Sequence, residues 1–279
     1  MRVIKETQIE EKVSELCIKA NTVLRSDIRG AFTKLYEEET NIKAKEMLGV
    51  LIENADIAQR ESMPICQDTG LVTVFIEKGA DVCVEGSLTG AVNRGIVKAY
   101  DEGYFRKSVV SDPFFRENTN DNSPGIIHLD EIPGDKIEIC IMPKGFGSEN
   151  KSKLVMFNPT TSKEEIIKFC VDTVKETGAD ACPPYVLGIG IGGTMEYAAY
   201  LAKKALLRPM LEGSHKEHIL EMENEIYRQA NDLEIGIMGL GGKSTVMGVN
   251  IVTSPTHIAG MPVAINISCH ALRIARGEI

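Results

Sequence analysis

Residues 185–209, YVLGIGIGGTMEYAAYLAKKALLRP, decide the fold class. They read as a strand, a glycine turn and a helix halted near Pro209. Strands that alternate with helices in this way belong to α/β architectures. Downstream, HKEHILEMENEIYRQAND places Ile219, Met222, Ile226 and Ala230 along one side of a further helix. The last stretch, from Ser244, reads as two strands joined by a Pro/Gly-rich loop and followed by a short tail.

Upstream, TSKEEIIKFCVDTVKETG opens with a capping box, Ser162 to Glu165, and Gly178 is its stop signal. SKLVMFNPT and LVTVFIEKG read as strands. KIEICIMPKG sets Ile137, Ile139 and Ile141 against Lys136, Glu138 and Cys140 in strand period. In the first sixty residues the apolar positions have helical spacing: Ile9, Val13, Leu16, Cys17, Ala20 and Leu24, then Leu48, Leu51, Ile52 and Ala55 after a cap at Thr40 or Asn41. With no linker composition and no internal repeat, residues 1–279 are expected to form one α/β domain. Residues 1–60 would be its helical N-terminal part, and 61–279 a body of mixed sheets surrounded by helices.

A chain of 279 residues buries a sizeable core. Its net charge of −9 excludes the basic field that nucleic acid or an anionic membrane surface requires, although a small anion could bind in a locally basic pocket. The opening MRVIKETQIEE has charges where a secretory signal needs an apolar run, and no stretch is long enough to span a bilayer, so a cytoplasmic protein is expected. The seven cysteines form no C-x-x-C pair, and an odd number in a reducing compartment argues for core fillers or metal ligands over disulfides.

Gly188, Gly190 and Gly193 match the dinucleotide pattern G-x-G-x-x-G, but no strand with a ribose-binding acid follows. GIMGLGGKST fails the Walker A pattern by one residue. Three cysteines fall outside the periodic stripes, beside rigid or polar loops: Cys66 in MPICQDTG, Cys182 in GADACPPY and Cys269 in INISCHALR. Converging thiolates would suit zinc, copper(I) or an iron–sulfur centre with one open position. The loop YFRKSVVSDPFFRENTNDNSPGIIH gathers Arg106, Lys107, Arg116, Asn118, Asn120, Asp121, Asn122 and His128, a set able to hold an anion. PKGFGSENKS adds glycines and polar side chains, and His257 in SPTHIAGMP lies in a loop where it could move a proton.

Together, MPICQDTG, the RKSVV to IIH stretch, PKGFGSENKS, CPPYVLGIGIGG, GLGGKSTVMGV and the THIAGMPVAIN to SCHALR stretch resemble the alpha subunit, or N-terminal domain, of class I iron–sulfur fumarases and the related L-tartrate dehydratases. The resemblance runs in order from about residue 8 to the C-terminus. It implies a [4Fe–4S] cluster held by Cys66, Cys182 and Cys269, with one iron open to substrate. It places Gln67 and Asp68 beside the cluster, Arg106 on a substrate carboxylate, Gly147 against the substrate and His257 in the active site. It implies hydration of fumarate to (S)-malate, or dehydration of L-tartrate, with further arginines, a lysine and a threonine base on a separate beta subunit, in an α2β2 assembly. A nucleotide-binding module or an iron-free scaffold for that partner are the competing expectations.

Overall fold

The structure, a computed structural model, describes residues 1–210 and 212–279. In chain order its elements are β1 (Arg2–Lys5), α1 (Glu6–Thr22), α2 (Ser26–Glu38), α3 (Ile42–Glu61), β2 (Leu71–Gly79), β3 (Val82–Glu85), α4 (Leu88–Glu102), β4 (Ile126–Ile132), β5 (Ile137–Lys144), α5 (Phe146–Glu149), β6 (Lys153–Phe157), α6 (Lys163–Thr177), β7 (Tyr185–Gly193), α7 (Met195–Ala205), α8 (Glu217–Asn231), β8 (Val246–Thr256), β9 (Met261–Ser268) and β10 (Ala275–Glu278). The chain is α/β with mixed sheets, and it divides into two compact units. Met1–Arg25, Asn54–Phe146 and Arg273–Ile279 form the first; Ser26–Glu53 and Gly147–Leu272 form the second. The N-terminal helices are thus shared out, with α1 in the first unit, α2 in the second and α3 contributing to both. Asn41 caps α3, its Oδ1 accepting from the N–H of Lys43 and Ala44 at 3.0 and 3.2 Å.

In the first unit the strands run β10-β5-β2-β4, and β1 pairs with β3 in a separate parallel ribbon. β2 is antiparallel to β5 and parallel to β4. The stripe Ile9, Val13, Leu16, Cys17 and Ala20 of α1 and the apolar side of α4 bury Val72, Val74, Ile76, Ile137, Ile139 and Ile141. The expected alternation along β5 fails from Ile139 onward, where Cys140 and Met142 are buried as well. Alternation presupposes one wet face, and β5 has none over that span. The tail after β9 also differs from expectation: it returns as β10, antiparallel to β5.

The second unit carries the order β6-β9-β7-β8. α6 begins and ends where its caps say. The hydroxyl of Ser162 accepts from the Glu165 N–H while Glu165 accepts from the Ser162 N–H, and Gly178 closes the helix at φ +57°. β7 and β8 are parallel, joined across α7 and α8. Gly188 and Gly190 lie inside β7, not in a turn after it. A Cβ on Gly188 would stand 2.2 Å from the Ala202 carbonyl oxygen, and one on Gly190 2.1 Å from that of Ala198. These glycines bring α7 down onto the strand and are not a phosphate cradle. GLGGKST is likewise occupied from within: the buried Glu39 carboxylate accepts from the N–H groups of Lys243, Thr40 and Asn41 at 3.1, 2.8 and 2.8 Å.

Gly190→Ala should therefore lower the urea midpoint of the second unit, by an overpacking cost of about 1–3 kcal/mol or more, because the obstacle is helix backbone and cannot swing away. Gly30→Ala in α2, where a Cβ meets nothing within 4 Å, should raise stability by about 0.5–1 kcal/mol. Equal midpoints for the two variants would contradict this packing.

Candidate functional site

The segment Ile65–Gly70 is held from several sides within the first unit. The Ile65 N–H donates to the Asn21 carbonyl at 2.9 Å, and the Asn54 amide donates to the Ile65 carbonyl at 2.9 Å. The Tyr100 hydroxyl donates to the carbonyls of Thr69 and Gly70 at 2.5 and 3.2 Å, and the Asn122 amide donates to Gly70 at 3.1 Å. Burial pushes the Tyr100 phenol well above its usual range, so it stays protonated and remains a donor. Asp68 is clamped at both oxygens: Oδ1 accepts from the Gly70 N–H at 3.0 Å and Oδ2 from the Phe146 N–H at 2.9 Å. Cys66 is half-buried and Gln67 exposed, and among the described residues neither side chain has a hydrogen-bond partner.

Arg106 is joined to this segment through its backbone, because the Thr69 hydroxyl donates to its carbonyl at 2.7 Å. Its guanidinium is exposed and makes no ion pair among the described residues. Lys107, Asn118, Asp121, Asn122 and His128 of the expected anion-binding set are engaged elsewhere. Lys107 pairs with Asp101 at 2.8 Å, the Asn118 amide donates to the Lys107 carbonyl, and Asp121 caps Ser123, whose backbone N–H lowers the carboxyl below its ordinary range. Asn122 is fully buried and holds Ser108 N–H at 2.7 Å as well as Gly70. His128 is not in the loop at all: it sits in β4, stacked on Phe75 at 5.1 Å. Short polar side chains beside turns satisfy local backbone first.

In the second unit Cys182 and Cys269 are brought together. The Cys182 carbonyl accepts from the His270 backbone N–H at 3.2 Å and also lies 3.2 Å from His270 Nδ1. Cys182 is exposed and adopts φ +57°, a left-handed conformation uncommon outside glycine. His257 is exposed in the loop between β8 and β9; its Nδ1 accepts from the Ala259 N–H at 3.1 Å, so the neutral ring carries its proton on Nε2. Gly147 is exposed, and a side chain there would meet nothing within 4 Å.

The cysteines sort by environment. Burial pushes the Cys140 thiol up to about 11, Cys170 up to about 12 and Cys17 higher still, which holds all three as neutral thiols. Only thiolates ligate metals. Cys66, Cys182 and Cys269 lie outside that buried set, at turns and strand ends, and as a donor set they suit an iron–sulfur cluster. Cys66 belongs to the first unit and the other two to the second. Among the described residues no group of three or more His, Cys, Asp or Glu side chains is gathered closely enough to hold a metal ion.

Sequence reasoning missed the supports. Asn21 and Arg273 are buried, and Arg273 Nη1 donates to Asn21 Oδ1 at 3.1 Å. The signals were an asparagine beside Ala20 in an apolar helical stripe and an arginine four residues after Cys269.

Comparison with known proteins agrees with the resemblance. The profile of the family described as fumarate hydratase (Fumerase) matches residues 10–278. A chain from Methanocaldococcus jannaschii, provisionally named L(+)-tartrate dehydratase subunit alpha, is 40% identical over 275 residues, 96% of each chain. L(+)-tartrate dehydratase alpha subunits from Escherichia coli strains UTI89 and K12 are 28% identical over 270 residues and 29% over 272, covering 95% of this chain and 89% of theirs. With helices and mixed sheets spanning the matched length, this chain belongs to the fumarate hydratase family.

Proposed function

We propose that this chain is the alpha subunit of an iron–sulfur hydro-lyase that reversibly hydrates fumarate to (S)-malate, with the catalytic base on a separate beta subunit. The observation that carries this reading is the contrast along Ile65–Gly70: the backbone and Asp68 are tied down while Cys66 and Gln67 keep their side chains uncommitted. A rigid frame with unspent donors is what binding chemistry needs. The names of the relatives, all alpha subunits, support a partner polypeptide.

Hydrating fumarate requires a polarised carboxylate, stabilisation of the charge that develops beside it, and transfer of one proton. Cys66, Cys182 and Cys269 would hold the [4Fe–4S] cluster, which when bound supplies a Lewis-acidic iron with an open position and no redox change. Arg106 presents a planar guanidinium, exposed and without an ion pair among the described residues, that suits a carboxylate. Asp68, fixed at both oxygens, offers an anionic acceptor that cannot swing, and Gln67 offers an amide donor and acceptor beside it. His257 would donate from Nε2, the nitrogen left free by Ala259. Gly147 leaves room for close backbone approach.

A second reading, dehydration of L(+)-tartrate, is favoured by the names of the relatives. Both reactions move water on a hydroxy-dicarboxylate, so the residues above serve either.

After anaerobic reconstitution, Cys66→Ser, Cys182→Ser and Cys269→Ser should each lose iron, sulfide and the visible absorption of the cluster, whereas Cys83→Ser at the edge strand β3 should retain all three. A colourless parent chain would refute the cluster assignment. The reconstituted chain with its partner should turn over fumarate, and comparing that rate with oxaloacetate formation from L(+)-tartrate decides between the two substrates. Full activity without any partner would refute the subunit assignment. Arg106→Met should lower kcat/KM by about 10- to 100-fold, the equivalent of about 1.5–3 kcal/mol for a hydrogen bond to a charged group.

A further inference from the structure

Arg273 is 2% exposed, yet among the described residues it has no carboxylate partner. Its Nη1 donates to the neutral Asn21 Oδ1, and its buried Nε has no acceptor among the described residues. Arg208, a partly buried arginine of the second unit, shows the ordinary solution, an ion pair with the buried Glu223. A buried guanidinium that lacks such a counter-charge is costly, and its retention calls for a role beyond holding the fold.

Two connections lead from Arg273 into the candidate site. The first is mechanical: Asn21 accepts from Arg273 at its side chain, donates to the Cys17 carbonyl at 3.1 Å, and with its own carbonyl holds the N–H of Ile65, the residue directly ahead of Cys66. The second is electrostatic. A side chain built on Gly145 would come 2.8 Å from Asp68 Oδ2 and 3.7 Å from Arg273 Nη2, so the carboxylate and the guanidinium flank the same α-carbon. The Tyr100 hydroxyl that grips Thr69 and Gly70 lies within the field of both.

We propose that Arg273 is a positioning residue for the reaction proposed above: through Asn21 it fixes Ile65, the residue ahead of Cys66, and across Gly145 its charge orients Asp68. The proposal rests on the hydro-lyase reading, and it assigns Arg273 no contact with substrate. A residue acting in this way governs the alignment of the groups that do the chemistry more than the affinity for the dicarboxylate.

The test compares the reconstituted complex containing the parent chain, Arg273→Gln, Arg273→Lys and Arg273→Ala. Arg273→Gln should lower kcat by about 10- to 100-fold, the range typical of residues that orient ligands from behind, with KM little changed. Arg273→Lys should recover part of that loss, and methylguanidinium added to Arg273→Ala should recover more than methylamine does. A second readout needs no cluster: in the apo chain, peptide mass spectrometry follows alkylation of Cys66, which Arg273→Gln should alter by about threefold or more while Cys83 keeps its rate. Asn21→Ala should change the Cys66 rate in the same direction, which keeps the proposal testable where an arginine variant does not fold. Unchanged kcat together with an unchanged Cys66 rate overturns the proposal, and so does a loss confined to KM. A parent chain that neither takes up iron nor turns over a dicarboxylate with its partner defeats the hydro-lyase reading instead, and the alkylation readout still judges the hold of Arg273 on Cys66.

Discussion

Where β2 begins, the α-carbon of Gly70 lies directly against the peptide of Lys144. A Cβ at that point would stand 2.6 Å from the Lys144 carbonyl carbon and oxygen and 2.7 Å from its nitrogen, and the backbone is at φ +77°. Only glycine accommodates both the contact and the conformation. This approach starts the antiparallel ladder at the pair Leu71 and Lys144, so the two chains leave the sheet side by side, one backward through Thr69 and Asp68, the other forward through Gly145 and Phe146. Asp68 consequently meets the Phe146 N–H, and backbone N–H groups hold both oxygens of the carboxylate. Were the register to slip by one residue, every side chain along β2 would change face and this junction would disappear.

The fold and the site use the same side chains at that junction. Tyr100 belongs to the apolar side of α4, with its ring edge-on to Phe105 at 5.5 Å inside the core of the first unit, yet its hydroxyl reaches the carbonyls of Thr69 and Gly70. Burial raises the phenol's proton affinity and so preserves the donor, and hydrophobic packing thereby becomes a hydrogen bond aimed at the segment that carries Asp68. Thr69 passes the constraint on to Arg106 through its carbonyl. Positions that would otherwise be mobile loop become extensions of a rigid sheet, the arrangement a binding site needs if its groups are to be aligned before the ligand arrives.

How far this was legible in the sequence depends on whether the deciding interaction is local. α6 was readable to the residue because Ser162, Glu165 and Gly178 cap within a few positions of themselves. β2 was readable because an apolar run needs no partner to be recognised. α4 escaped notice although Ser87 caps it, since Ala91, Gly95 and Ala99 dilute its apolar stripe with small residues. β4 and β10 are short or half-wet strands whose existence depends on partners far away in the chain, β2 and β5. The same holds at the site. Cys66, Gln67 and Asp68 stand together in one motif, but Asn21 and Tyr100 hold the flanking Ile65, Thr69 and Gly70, and Arg273 holds Asn21, from far along the chain, and no spacing in a single sequence records that. The polar loop misled for the converse reason: its asparagines and aspartates look available for a ligand and are consumed by backbone groups, some in their own turns and some, as for Asn122, far along the chain.

The seven cysteines show how one residue type is divided between structure and chemistry by environment alone. Cys17 and Cys170 are fully buried on helix stripes and Cys140 lies inside β5, where the charged form is disfavoured and the sulfur acts as a small apolar group. A buried thiol of this kind can be exchanged for another small apolar side chain at modest cost, because nothing about it requires sulfur. Cys182 is the opposite case. A left-handed backbone is normally left to glycine or asparagine, so an exposed cysteine that adopts it has local energetics running against it. The surroundings nevertheless enforce the conformation, with His270 bonded to the Cys182 carbonyl next to Cys269. A left-handed cysteine held by its neighbours at an exposed turn is a constraint that burial does not account for.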